Sequence, residues 1–229
     1  MAIIFQDTFT DVNGTLLENH TPEVGGSWVD GSVAGHKYHI NNNVVQVAFM
    51  ESPRDYYYLV PAIPGQGISN GYVQIDTTGA DGFGLLFRHT SITQHYLLVL
   101  QSGQGSFILY KKVSNTDPTG ALTLPDYRII KSGSNTAPRT SIKIIFQDTV
   151  ISVYNSGALV FSVQDTTYAT GGVGIHTRFS PMSIDNLIAE SGNFLPSVPS
   201  VSIGSSGSGA AGRSGSYDFN RRINNDGTW

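Results

Sequence analysis

Residues 141–163 read SIKIIFQDTVISVYNSGALVFSV. Apolar and polar residues alternate through Ser141–Phe146, again through Val150–Tyr154, and again through Leu159–Val163. A period of two sends successive side chains to opposite faces, as in a half-buried strand. Between the last two runs, Asn155-Ser156-Gly157 supplies residues that accept the backbone of a tight hairpin. This stretch is predicted as three antiparallel strands, and the same pattern continues on both sides of it.

Upstream, Tyr72–Thr77, Phe83–Arg88, Tyr96–Gln101, Ser106–Lys112 and Tyr127–Lys131 read as strands, with Gly103-Gln104-Gly105 as another short turn. Downstream, Val173–Thr177 and Ser183–Glu190 extend the series. Prolines sit at the edges of these segments, where a missing ladder donor does no harm. No window carries a convincing helical period. Many short strands with turn signals between them predict an all-β fold: a two-sheet antiparallel jelly-roll sandwich.

Composition agrees with that reading. Of 229 residues only 13% are charged, while 26 are glycine, and polarity comes from Ser, Thr, Asn and Gln. Net charge is −4, with no Lys/Arg cluster to track a phosphate backbone, so no nucleic-acid partner is expected. The chain has no cysteine, which excludes disulfide staples and thiol chemistry. No apolar run approaches the length of about 18 residues needed to span a bilayer, so no membrane partner is expected. The start MAIIFQD lacks the features of a signal peptide, and the expectation is a protein made in the cytoplasm of its producing cell.

Composition shifts sharply near residue 192. Residues 1–192 form the expected sandwich, and residues 193–229 an extended C-terminal arm, Pro-spaced at first and then Gly/Ser-rich over 204–216. Such a stretch buries too little to offset its ordering entropy and reads as a linker. At its end Tyr217, Phe219, Ile223 and Trp229, with Arg221 and Arg222, read as an anchor for another chain or for a groove on the same one.

The opening residues FQDTFTD (5–11), NGTLL (13–17), HTPE (20–23) and GGSW (25–28) resemble the N-terminal signature of concanavalin A-like (lectin/glucanase, laminin-G-like) jelly-roll domains. Gly84-Leu85-Leu86-Phe87-Arg88, Tyr96–Leu100, Gly172–Ile175 and Ile184-Asp185-Asn186-Leu187 agree with it. The resemblance covers about 190 residues and implies that the first and last strands are neighbours, with Phe9, Trp28 and Leu187 closing one end of the core. It also implies a possible structural Ca2+ shared by Asp7 and Asp185. The alternative is that both carboxylates cap turns by accepting backbone N–H bonds. No other cofactor is expected. Variants of the signature occur in phage structural proteins, which implies a virion location.

Glucanases of this fold place paired carboxylates along one strand, in a Glu-x-Asp-x-x-Glu or similar order. None of the glutamates (Glu18, Glu23, Glu51, Glu190) begins such a motif, and Asp76 has no carboxylate two positions away. A glycosidase is therefore disfavoured, and the chain is expected not to be an enzyme. His36 and His39 would face opposite sides of a strand, while His89 and His95 flank a turn and would converge without a third ligand.

Sugar binding needs aromatic faces and planar polar groups. Tyr56 and Tyr58 would share one strand face and, with Arg88, Tyr96, His176 or Arg178, form a stacking platform; otherwise they pack across neighbouring strands. Two readings emerge. The first is a non-catalytic phage virion component, most simply a capsid decoration (cement) protein, whose arm docks on the major capsid protein or on copies of itself. The second is a lectin-like adhesion module that binds cell-surface glycans.

Overall fold

The computed structural model describes residues 2–30, 38–47, 56–59, 67–77, 83–91, 93–101, 105–114, 126–177 and 183–194. Within them the strands are β1 (Ala2–Asp7), β2 (Val29–Asp30), β3 (Tyr38–Asn41), β4 (Val44–Val47), β5 (Tyr56–Leu59), β6 (Gly71–Thr77), β7 (Phe83–Ser91) and β8 (Gln94–Gln101). They continue as β9 (Ser106–Lys112), β10 (Tyr127–Ser134), β11 (Ser141–Gln147), β12 (Val150–Asn155), β13 (Ala158–Gln164), β14 (Gly172–Thr177) and β15 (Ile184–Ser191). Leu17–Asn19 makes one 3-10 turn.

All pairing is antiparallel, in two sheets. Sheet A runs β13-β12-β11-β6-β15-β4-β3, with β1 also paired to β15; sheet B runs β10-β9-β8-β7-β14-β5-β2. The protein is the expected all-β jelly-roll sandwich. Every strand predicted from alternation is present, most of them a residue or two longer than predicted. The 141–163 stretch forms β11, β12 and β13, and its hairpin turn holds Ser156 and Gly157 at φ +49° and +83°. Asn42 and Asn43, both at positive φ, close β3 onto β4 in the same manner.

One core lies between the sheets. Ile142, Ile144, Phe146, Val73, Ile75 and Val153 of sheet A meet Leu85, Phe87, Tyr96, Leu98, Phe107 and Ile175 of sheet B. The first and last strands do pair, from Ala2 opposite Ser191 to Asp7 opposite Leu187. Phe9, Trp28 and Leu187 are buried together as expected, Trp28 edge-on to Phe5 at 5.4 Å. The exposed edge strand β10 carries Arg128 and Lys131 beside a register shift at Ile129/Lys131, devices that discourage edge-to-edge pairing.

Candidate functional site: the outer face of sheet B

The two sheets treat their outer faces differently. In β6 and β11 every second residue is buried, the ordinary pattern of a sheet with one face toward water. In β8, six consecutive residues, His95 to Leu100, are buried. Tyr96, Leu98 and Leu100 belong to the inter-sheet core, but Leu97 and Val99 join Leu86 and Tyr127 in a second cluster, with Tyr110 packed against it. Pairing lays these out as a row: Leu86 opposite Leu97, Leu97 opposite Tyr110, Tyr110 opposite Ile129. The outer face of sheet B thus carries an apolar and aromatic layer of its own. Along β9 and β10 it reaches the surface, where Ile108 and Tyr110 are half-buried and Ile129 is 61% exposed.

Polar side chains are embedded at one end of this layer. His95 pairs its Nε2 with the Tyr127 hydroxyl (3.2 Å) and its Nδ1 with the Ser91 carbonyl (3.3 Å). Because a carbonyl only accepts, Nδ1 carries the proton and the Tyr127 hydroxyl donates to Nε2. Lys112 lies 3.5 Å from Asp126 Oδ2 and 4.4 Å from the Tyr127 ring centre, and the Ser114 hydroxyl donates to Asp126 Oδ1 (2.6 Å). His89 stacks on His95, ring centres 5.3 Å apart and planes 25° from parallel. Burial pushes His89 down to about 4; burial and then the neighbouring His89 push His95 down to about 3. Both imidazoles are neutral near pH 7.

A backbone irregularity produces this arrangement. The register of β7 slips against both neighbours, and Arg88 adopts φ +48°. Phe87 and Arg88 both turn inward, and His89 returns to the outer face. Gly171 passes close behind: a Cβ there would lie 2.4 Å from the Arg88 carbonyl carbon.

Of the residues expected from sequence to form a sugar platform, Tyr96, Arg88 and His176 are described, and these three do not share a surface. Tyr96 is in the core, its hydroxyl donating to Asp165 Oδ1 (2.6 Å). The Arg88 guanidinium is also interior, donating to the carbonyls of Tyr168 (3.0 Å), Ser69 (2.6 Å) and Asp148 (2.8 Å). His176 lies on the outer face, opposite Gly84, and is buried. In β5, position 57 pairs with His176, whereas position 58 pairs with the core residue Ile175. The side chains of Tyr56 and Tyr58 lie outside what the structure describes. Arg178 lies outside the described residues. So do the arm from residue 195 onward and its anchor residues Tyr217, Phe219, Arg221, Arg222, Ile223 and Trp229, and so does His36.

Asp7 does not suit a calcium ligand. Its Oδ1 accepts from Phe9 N–H (2.7 Å) and faces His20 Nε2 (2.9 Å), while Oδ2 accepts from the Trp28 indole (2.6 Å). Donors rather than a cation surround it. Asp185 accepts from Asn186 N–H (2.7 Å), so both carboxylates make the turn-capping bonds of the alternative reading. Among the described residues no group of three or more His, Asp or Glu side chains is arranged to hold a metal ion.

Strand pairing also reveals a juxtaposition that spacing along the chain concealed: Asp185 lies directly opposite Asp76 in sheet A. Burial, and then the charges of Asp76 and Glu23, raise the Asp185 carboxyl above its ordinary range. Its ionised form is therefore disfavoured by folding. Asp185→Asn, which keeps an acceptor for Asn186, is expected to stabilise the fold at pH 7 by about 0.2–1 kcal/mol. That gain shrinks as pH falls and the Asp185 carboxyl takes up its proton. Urea midpoints at pH 7 and pH 3.5 check this; a lower midpoint for the variant at pH 7 would reveal a favourable partner for the charge.

No protein-family model and no curated protein sequence matches this chain. Solved structures do. The carbohydrate binding module CBM66 from Bacillus subtilis superposes with a TM-score of 0.56 at 16% identity, covering 72% of this chain and 96% of its own. A Bacillus subtilis protein of unknown function with a galectin-like fold gives 0.59 at 10% identity, covering 83% and 96%. A GlcNAcα1-4Gal-releasing endo-β-galactosidase from Clostridium perfringens gives 0.51 at 11% identity, covering 82% of this chain and 61% of the enzyme. These likenesses show the fold, a two-sheet antiparallel jelly-roll sandwich, which among these neighbours serves a carbohydrate binding module and a glycosidase alike.

Proposed function

We propose that this protein is a non-catalytic, lectin-like carbohydrate-binding module that takes its sugar on the outer face of sheet B. The observation that carries the reading is the second apolar and aromatic layer on that face, with neutral imidazoles and tyrosine hydroxyls embedded in it. Sugars need such a surface, C–H faces against aromatic rings and hydroxyls against planar polar groups. A carbohydrate-binding module and a galectin-like protein among the structural neighbours support the same reading.

The Asp76–Asp185 pair belongs to sheet A, while Asp126 on the sheet B side is engaged by Lys112 and Ser114. No carboxylate pair flanks the proposed sugar position among the described residues, and this supports binding without hydrolysis. The virion reading rests on the arm, outside the described residues, and no observation on the fold favours it over sugar binding.

Tyr110→Ala removes a half-buried ring of this face. It is expected to weaken glycan binding at least tenfold, about 1.4 kcal/mol, while the thermal midpoint stays within a few degrees. Calorimetry against glycans identified on an array measures this. Absence of any glycan signal at millimolar protein, or turnover of a polysaccharide by the purified protein, would overturn the reading.

A further inference from the structure

We infer that the sugar taken on the outer face of sheet B is a neutral one, and that the Nε2 atom of His89 reads one of its hydroxyls; this rests on the carbohydrate-binding reading above. His89 Nε2 is buried and has no hydrogen-bond partner among the described residues. A buried polar atom left without a partner costs about 1–3 kcal/mol, and such orphans call for an explanation. His89 as a whole residue is half-buried near the end of β7, beside exposed Thr90.

Among the described residues, the charge inventory of the face decides the ligand class. Lys112 is committed to Asp126 and to the Tyr127 ring, and Asp126 is further bonded by Ser114. That pair contributes no net charge. His95 is held neutral between Ser91 and Tyr127, and burial disfavours the charged form of His89, stacked 5.3 Å away. The low acidity range of both rings agrees with this geometry.

A neutral imidazole nitrogen is a donor or an acceptor according to tautomer, and a hydroxyl matches either. A carboxylate or sulfate oxygen accepts only, and would draw strength chiefly from an imidazolium that burial disfavours. An acidic glycan would also bring an uncompensated charge onto an apolar layer. Uronic-acid, sialylated and sulfated glycans are therefore disfavoured, and neutral hexose or pentose units fit.

The test uses the full chain at pH 7.5, with neutral trisaccharides compared with matched uronic-acid and sulfated ones by calorimetry. Neutral sugars are expected to bind at least tenfold more tightly. His89→Ala is expected to lose at least tenfold in affinity, and His89→Gln, which keeps a donor and an acceptor, to retain most of it. Side-chain 15N NMR of the unaltered protein is expected to show the His89 Nε2 resonance moving on addition of sugar, a readout independent of whether the variants fold. Preference for acidic glycans, an unmoved Nε2 resonance, or His89→Ala within twofold of native in a folded protein would overturn the inference while leaving sugar binding intact. Binding of no glycan at all would remove the carbohydrate reading and this inference with it.

Discussion

His20→Ala is expected to destabilise the protein by about 3–5 kcal/mol at pH 5.5–6, and by clearly less at pH 8.5. His20 is buried at the end of the 3-10 turn, with Nε2 2.9 Å from Asp7 Oδ1 and Nδ1 2.9 Å from Asp11 Oδ2. Both ring nitrogens face carboxylates, an arrangement only the imidazolium satisfies fully. Asp7 is completely buried, and removing the imidazole leaves that carboxylate with the Trp28 indole and Phe9 N–H alone. Cutting one partner from a buried ion pair costs more than the pair itself contributes.

The sign of the pH effect follows from the direction of the shift. Burial by itself would lower the His20 pKa, but hydrogen bonds to Asp11 and Asp7 and their charges raise it on balance. A group with a raised folded pKa contributes fully below its unfolded value of about 6.5. That contribution is lost as pH rises through the folded pKa. Urea unfolding of native and variant proteins across pH 5.5–8.5 measures it. A penalty constant over that range would mean the ring acts only by filling space.

The second large effect is expected at Arg88. Its guanidinium, buried and 5.4 Å from the Phe146 ring centre, donates to three carbonyls from three separate segments: Ser69 before β6, Asp148 in the β11–β12 turn and Tyr168 before β14. Hydrogen bonds to a charged donor contribute about 1.5–3 kcal/mol each, though three on one side chain do not add. Arg88→Ala also leaves a cavity, so a loss of about 3–5 kcal/mol is expected. Arg88→Lys should recover less than half, because one ammonium cannot reproduce a planar fork aimed at three acceptors. Chemical denaturation decides it. A loss under 1 kcal/mol for the alanine variant would mean that water replaces the guanidinium.

The fold was legible where burial is one-sided. Ser141–Gln147 and Gly71–Thr77 advertise their strands through alternation, and the Asn-Ser-Gly turn marks the reversal of β12 into β13. The strands β2 and β4 were not predicted, because two to four residues are too few to display a period. The candidate site was legible only in part. The run Tyr96-Leu97-Leu98-Val99-Leu100 held the signal: a continuous apolar stretch in an antiparallel sheet means burial on both faces. It served as a mark of kinship instead.

Arg88 turns inward because the irregularity at its positive φ gives β7 two successive inward side chains, while Tyr96, opposite Phe87, lies in the inward row of β8. The convergence of His89 and His95 across a turn was readable from spacing. Their neutrality was not, since it depends on burial that only the assembled sheet creates. The pairing of Asp76 with Asp185 joins strands far apart in the chain, which local spacing cannot report.

The place of β15 between β6 on one side and β4 and β1 on the other governs how the chain is made as well as how it holds. Without residues 184–191, sheet A is three unjoined pieces, β13-β12-β11-β6, β4-β3 and β1. Until they are synthesised β6, β4 and β1 present open strand edges, and closure waits for β15. Pairing Ala2 with Ser191 demands a contact spanning almost the whole sandwich, the kind of topology that folds in milliseconds to seconds rather than microseconds. During that interval chaperones that bind exposed strands have their opportunity, and crowded nascent chains have theirs to aggregate.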